Sequence, residues 1–197
     1  MPPSTLTSTS NIFFLIGFMG SGKSLLSHGV SERMDVITVE MDDLIEQSAG
    51  MSINEIFTRK GEEAFRAIER QVLHDIIDQY QIPEKPVLIS TGGGAPCHFD
   101  NMEVMNQAGT TIFINPSAKR LSARLEQKKQ DRPLIKDKTA DEIRTYVEKK
   151  LKERLPFYSK AIIQVNMIYD DKADNIEFLK DIIESEWIRN QSRDNSE

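Results

Sequence analysis

Three stretches of this chain combine residue types and spacings that chemistry can use. The first is Gly17-Phe18-Met19-Gly20-Ser21-Gly22-Lys23-Ser24, which satisfies G-x-x-x-x-G-K-[ST]. Glycines accept unusual backbone angles and let a chain wrap closely around a polyphosphate. The exposed N–H groups of such a loop form an anion nest, and a helix starting near Lys23 adds its positive end. In this arrangement Gly20, Ser21 and Gly22 cradle the phosphates. Lys23 reaches the outer phosphates, and the Ser24 hydroxyl ligates Mg²⁺, a hard cation that prefers oxygen. A Gly-rich turn that binds nothing is the plain alternative, but a chance match in a chain this long is on the order of one per cent. The second stretch is Glu40-Met41-Asp42-Asp43. A carboxylate there could accept a proton from an attacking hydroxyl or hold a metal's water shell, whereas helix capping explains one Asp better than three acids together. The third is Thr91-Gly92-Gly93-Gly94-Ala95-Pro96. A tight turn usually needs one glycine, so three in a row suit a ligand that touches main chain. Isolated arginines (Arg66, Arg132, Arg154) are of the type that clamps carboxylate or phosphate with parallel hydrogen bonds, although spacing alone does not bring them together.

These stretches acquire meaning from the elements around them. Apolar, β-branched runs at 12–16, 36–39, 87–89, 110–114 and 161–165 read as strands. Helical patterns are expected at 23–33, 41–47, 53–58, 62–80, 99–106, 118–127, 140–155 (ended by Pro156) and 173–187. Strands alternating with helices predict a parallel sheet covered on both faces, hence an α/β fold of three layers. The second and third stretches, like the first, then fall at the carboxyl ends of strands, where ligands bind in open α/β sheets.

Composition bounds the rest. The chain has 197 residues, 39% of them apolar and 28% charged, which suits one ordinary domain with a real core. A net charge of −6 argues against a protein that coats nucleic acid. The longest apolar run, 12–19, is far too short to span a bilayer and is not a signal peptide. The single cysteine, Cys97, excludes an intrachain disulfide and a multi-thiolate zinc site, and fits a reducing compartment. His28, His74 and His98 show no metal spacing. Residues 1–11, rich in Ser, Thr and Pro and without charge, are expected to be a disordered leader. Residues 189–197 are expected to be a disordered tail, leaving one domain over 12–188.

Several strings together resemble the shikimate kinase family: GFMGSGKS; Asp42 with Ile45-Glu46; Gly61-Glu62-Glu63-Ala64-Phe65-Arg66-Ala67-Ile68-Glu69; Gly92-Gly93-Gly94-Ala95; Arg132-Pro133-Leu134; and Arg154-Leu155-Pro156-Phe157-Tyr158. They occur in the family's order and spacing over about 12–165 and are jointly far more specific than the phosphate loop. The resemblance implies a five-stranded P-loop NTPase fold of the nucleoside-monophosphate-kinase-like kind. It implies transfer of the γ-phosphoryl group of ATP to the 3-hydroxyl of shikimate, in the pathway to chorismate and the aromatic amino acids. It further implies that Asp42 bonds the acceptor hydroxyl and is the base, and that Arg66 and Arg154 clamp the shikimate carboxylate. Glu69 orients a substrate arginine, and Gly92, Gly93 and Gly94 meet substrate through backbone. Ile53, Phe57 and Phe65 wall the pocket in a helical region spanning about 41–80. Arg132 swings over the phosphates from a mobile lid at about 127–138, and Arg124 stacks on adenine.

Two departures stand out. Glu40 replaces the Asp that in the family supports Mg²⁺ through water. Val165-Asn166-Met167 replaces an I-D-T-like adenine loop. Among rivals, a gluconate or nucleotide kinase lacks the paired arginine blocks with GGGA, and a GTPase would carry an N-K-x-D guanine reader, which this chain does not have. The expected partners are ATP and shikimate, with no nucleic acid and no membrane, for a cytoplasmic monomer.

Overall fold

The computed structural model describes residues 10–81, 83–129, 135–166 and 171–194. In chain order the elements are β1 (Ile12–Ile16), α1 (Lys23–Ser31), β2 (Ile37–Glu40), α2 (Met41–Ala49), α3 (Ile53–Gln79), β3 (Val87–Ser90), α4 (Asn101–Ala108), β4 (Thr110–Asn115), α5 (Ala118–Gln127), α6 (Ala140–Tyr158), β5 (Ile163–Asn166) and α7 (Lys172–Asp194). The five strands form one parallel sheet in the order β2-β3-β1-β4-β5.

Burial follows position in that order. Every residue of the central β1 and of β3 is buried, whereas the edge strands β2 and β5 are only partly covered. Along β1 successive side chains point to opposite faces. Ile12, Phe14 and Ile16 enter the larger core, shared with residues of α2 to α6 such as Ile45, Phe65, Leu121 and Val147. Phe13 and Leu15 enter a second core with Leu26, Val30, Leu179 and Ile183 of α1 and α7. Register sets Glu40 beside Ser90 and Ser90 beside Leu15. The end of β2, the end of β3 and the approach to the phosphate loop therefore stand level along one edge of the sheet.

The element boundaries differ from the sequence reading where local chemistry was overridden. Pro156 does not end α6, which continues to Tyr158 with Ser159 N–H donating to Leu155 O at 2.8 Å. A proline forfeits only its own bond to the carbonyl four residues back, and here that carbonyl belongs to Lys152, on the exposed side of the last turns. The expected helix over 99–106 begins later, at Asn101, because Phe99 takes a left-handed conformation at φ 51°. The two helices expected at 53–58 and 62–80 are present, meeting within α3 at Gly61, whose φ of 83° and ψ of 175° are not helical.

The chain ends also depart from expectation. α7 runs through Asp194, so residues 189–194 are helical rather than a disordered tail. Asn190 is buried and its side-chain amide donates to Ser10 O at 3.0 Å. The Asn11 carbonyl accepts from Val87 N–H at 2.9 Å, so folded structure begins before residue 12. Residues 1–9 and 195–197 of the expected leader and tail lie outside the described residues, as do 130–134 of the expected lid, Arg132 among them. Ile135, which follows, is fully buried in the larger core.

Candidate active site

The phosphate loop leaves β1 and enters α1. Gly17 adopts φ 144°, and a Cβ there would stand 2.6 Å from the Ile114 carbonyl, so this turn admits only glycine. Lys23 heads α1 with its ammonium folded back over the loop, donating to Gly17 O at 2.9 Å and Phe18 O at 3.3 Å. Those carbonyls hold the charge at the centre of the nest. Arg124, on α5, reaches across to the same loop and donates to Ser21 O at 3.0 Å and Gly20 O at 3.4 Å. The cleft in front has a volume of about 490 Å³. Its walls include residues 19–24, Glu40, Asp42, Thr91, Gly93, Arg124 and Lys128. Lys172 and Asn175 of α7 also line it, and the sequence reading named neither. Asn175 had only its place in the helix expected at 173–187 as a signal and Lys172 lay just outside it, and neither fact says that α7 packs beside α1 at the loop.

Glu40 ends β2 and accepts from the Ser24 hydroxyl at 2.7 Å. Its other carboxylate oxygen is buried without a hydrogen-bond partner. That oxygen has the His28 ring nitrogen 3.9 Å away, and a hydroxyl and a carboxylate side by side form a hard-oxygen donor set that fits Mg²⁺. Among the described residues no three His, Cys, Asp or Glu side chains group to hold a metal by themselves. A cation here would thus need oxygens from a ligand such as a nucleotide's phosphates.

The rest of the site gathers at the glycine turn after β3. Arg66, from α3, forms ion pairs with Glu69 at 2.7 Å and Glu62 at 3.2 Å. Its guanidinium lies 4.8 Å from the Phe65 ring centroid, and Phe65 packs on Phe57 at 4.5 Å between centroids. A Cβ on Gly94 would stand 2.7 Å from Arg66 Nη2, so this glycine leaves room for the guanidinium. Arg154, from α6, donates to Gly93 O at 3.1 Å. The two arginines that sequence spacing could not join therefore meet at one turn. A Cβ on Gly92 would lie 2.8 Å from Glu69 Oε1 and 3.2 Å from Asp42 Oδ1, so both carboxylates also face this turn. Burial pushes the Glu69 carboxyl above its ordinary range against the pull of Arg66, and the charge of Asp42 adds to the rise. Ile53, at the start of α3, is partly buried against the larger core. Asn166 accepts from the Asn115 side chain at 3.1 Å, and Met167 lies outside the described residues.

The phosphate nest and an acid line one cleft, and two guanidinium groups gather at the glycine turn that borders it. Comparison with known proteins shows the family. A family model described as "Shikimate kinase" matches residues 19–186. A shikimate kinase from Parabacteroides distasonis is 42% identical over 150 residues, covering 76% of this chain and 84% of that protein. The crystal structure of shikimate kinase from Bacteroides thetaiotaomicron superposes with a TM-score of 0.79 at 36% identity, covering 88% of this chain and 98% of that one. The shikimate kinase from Acinetobacter baumannii in complex with shikimate gives 0.75 at 26% identity, covering 88% and 93%. With its phosphate loop, sheet order and glycine turn in place, the chain belongs to the shikimate kinase family.

Proposed function

We propose that this chain transfers the γ-phosphoryl group of ATP to the 3-hydroxyl of shikimate, giving shikimate 3-phosphate and ADP on the route to chorismate and the aromatic amino acids. The observation that carries the reading is the meeting of Arg66 and Arg154 at the Gly92–Gly94 turn, which Asp42 also faces and whose Gly93 lines the phosphate-loop cleft. Two guanidinium groups away from the reacting centre suit a substrate whose carboxylate must be anchored while a hydroxyl is presented. The apolar wall of Ile53, Phe57 and Phe65 receives the carbon ring.

Phosphoryl transfer asks for positioning and charge neutralisation more than covalent chemistry. Gly20, Ser21, Gly22 and Lys23 hold the phosphates, and Arg124 covers the nucleotide from α5. Asp42 accepts the proton of the acceptor hydroxyl as its oxygen bonds to the γ-phosphorus and the bond to the β–γ bridging oxygen breaks. Ser24 and, through water, Glu40 would hold Mg²⁺, which would supply neutralisation of phosphate charge. To Arg132, which lies outside the described residues, we assign positive charge toward the transferring group, as the family resemblance implies.

The assembly state we assign is a monomer. Among the described residues no helix is long and apolar enough to cross a membrane, and the working place we assign is the cytoplasm. The test is ADP release measured with shikimate, gluconate and nucleoside monophosphates as acceptors. Release should depend on shikimate alone, and Asp42→Asn should abolish it while leaving ATP binding nearly unchanged. Turnover with gluconate or a nucleotide in place of shikimate, or full activity of the Asn variant, would overturn the assignment.

A further inference from the structure

Tyr158 closes α6 and is among the largest fully buried side chains of the protein. Its ring packs on Phe113 of β4 with centroids 5.0 Å apart. Packing alone would be served by phenylalanine. The structure gives the hydroxyl a definite use: it donates to Gly93 O at 2.5 Å. The same carbonyl accepts from Arg154 Nη1 at 3.1 Å. Tyr158 and Arg154 are one helical turn apart on α6, so both descend on the turn from one face of one helix. The Arg154 guanidinium is steadied on its other side by the Phe18 ring, 5.3 Å from the centroid.

We propose that Tyr158 is a positioning residue for acceptor binding: its hydroxyl fixes the Gly93 carbonyl, and that carbonyl sets the direction in which Arg154 presents its remaining N–H groups to the substrate carboxylate. The inference rests on the clamp role assigned to Arg154 above. A carbonyl has two lone pairs, and here the two donors occupy both. One Arg154 nitrogen is thereby committed to the protein, and the rest of the planar group is held at a set angle with its other donors available to an anion. Burial raises the Tyr158 phenol well above its ordinary pKa, which keeps the hydroxyl a donor across the working pH range. The contact is the same whether the acceptor is bound in its ground state or reacting, so its loss weakens binding and leaves the chemical step in place.

Tyr158→Phe removes one oxygen and keeps the ring against Phe113, so the fold is retained; a thermal melt checks this. Steady-state kinetics should show the KM for shikimate raised about five- to tenfold, the size expected for one lost neutral hydrogen bond. The KM for ATP and kcat should stay within about twofold. Phe113→Leu loosens the same packing but keeps the hydroxyl, and it should leave the shikimate KM unchanged. An unchanged shikimate KM in Tyr158→Phe, an equal rise for ATP, or an equal rise in Phe113→Leu would each overturn the proposal. Arg154→Ala separates the two ideas. If Arg154→Ala binds shikimate normally, the clamp fails. If it binds poorly while Tyr158→Phe binds normally, the clamp stands and the positioning role falls.

Discussion

Cys97, which follows the glycine turn, is the one cysteine of the chain and has no role assigned to it. Burial pushes its thiol up to about 11, against the pull of Arg154 and Arg66 and with help from the Glu69 charge. The thiolate is the reactive form. With a pKa near 11, only about a thousandth of Cys97 is thiolate at pH 8. Alkylation of the native protein by iodoacetamide should therefore be slow at pH 8 and rise about tenfold per pH unit to beyond pH 10. In urea the rate should instead level off above about pH 9, near the ordinary thiol value. Mass spectrometry of quenched samples reads both curves. A native rate that plateaus below pH 9 would mean that the guanidinium groups outweigh burial, and that Cys97 is an activated thiol beside the substrate turn.

The glycine turn shows how an element can serve binding through the side chain it leaves room for. Gly94 has φ −99°, a conformation open to alanine, yet a Cβ would press within 2.7 Å of Arg66 Nη2 and 2.8 Å of Nη1. The guanidinium cannot stay where it is, and its displacement also takes it from the buried Glu69 carboxylate, its partner at 2.7 Å. Gly94→Ala should raise the KM for shikimate at least about tenfold with the KM for ATP unchanged, and should lower the melting temperature as Glu69 loses its partner. Normal shikimate binding in that variant would mean that Arg66 is not displaced from a binding role. Elements of this kind mark the boundary of what the sequence could convey. The phosphate loop, the acids after β2 and the triple glycine were legible because each is local, and so were the strands, whose apolar runs are buried on two faces. Arg66 and Arg154 were visible only as isolated charges; their junction depends on α3 and α6 packing at opposite sides of one turn, which no spacing encodes. Only resemblance to a family joined them. Helix ends failed where a tertiary setting outweighed propensity, as with Pro156 inside α6 and the left-handed Phe99 before α4.

At the scale of the whole molecule, the two ends of the described chain close on each other at the foot of the sheet. β1 enters there and carries the phosphate loop at its other end, five residues on, a rise of about 17 Å. The polar composition of residues 189–194 disguised this, because a single buried amide among exposed charges looks the same in sequence as a solvated tail. Asn190 is only 2% exposed, and its amide is what ties α7 to Ser10 O, just before the central strand. Truncating the buried Asn190 side chain removes that hydrogen bond and leaves a small void, together a loss of about 1–3 kcal/mol. That loss falls on the foot of β1, a strand's length from every group assigned to phosphoryl transfer. Asn190→Ala should accordingly lower the unfolding free energy in urea by about 1–3 kcal/mol, with an unchanged denaturant slope. At 25 °C both KM values and kcat should stay at wild-type levels. A catalytic defect in a variant that is still fully folded would show that strain at the foot of β1 travels along the strand to the loop. The scaffold and the site would then be one mechanical unit rather than two regions joined by a rigid strand.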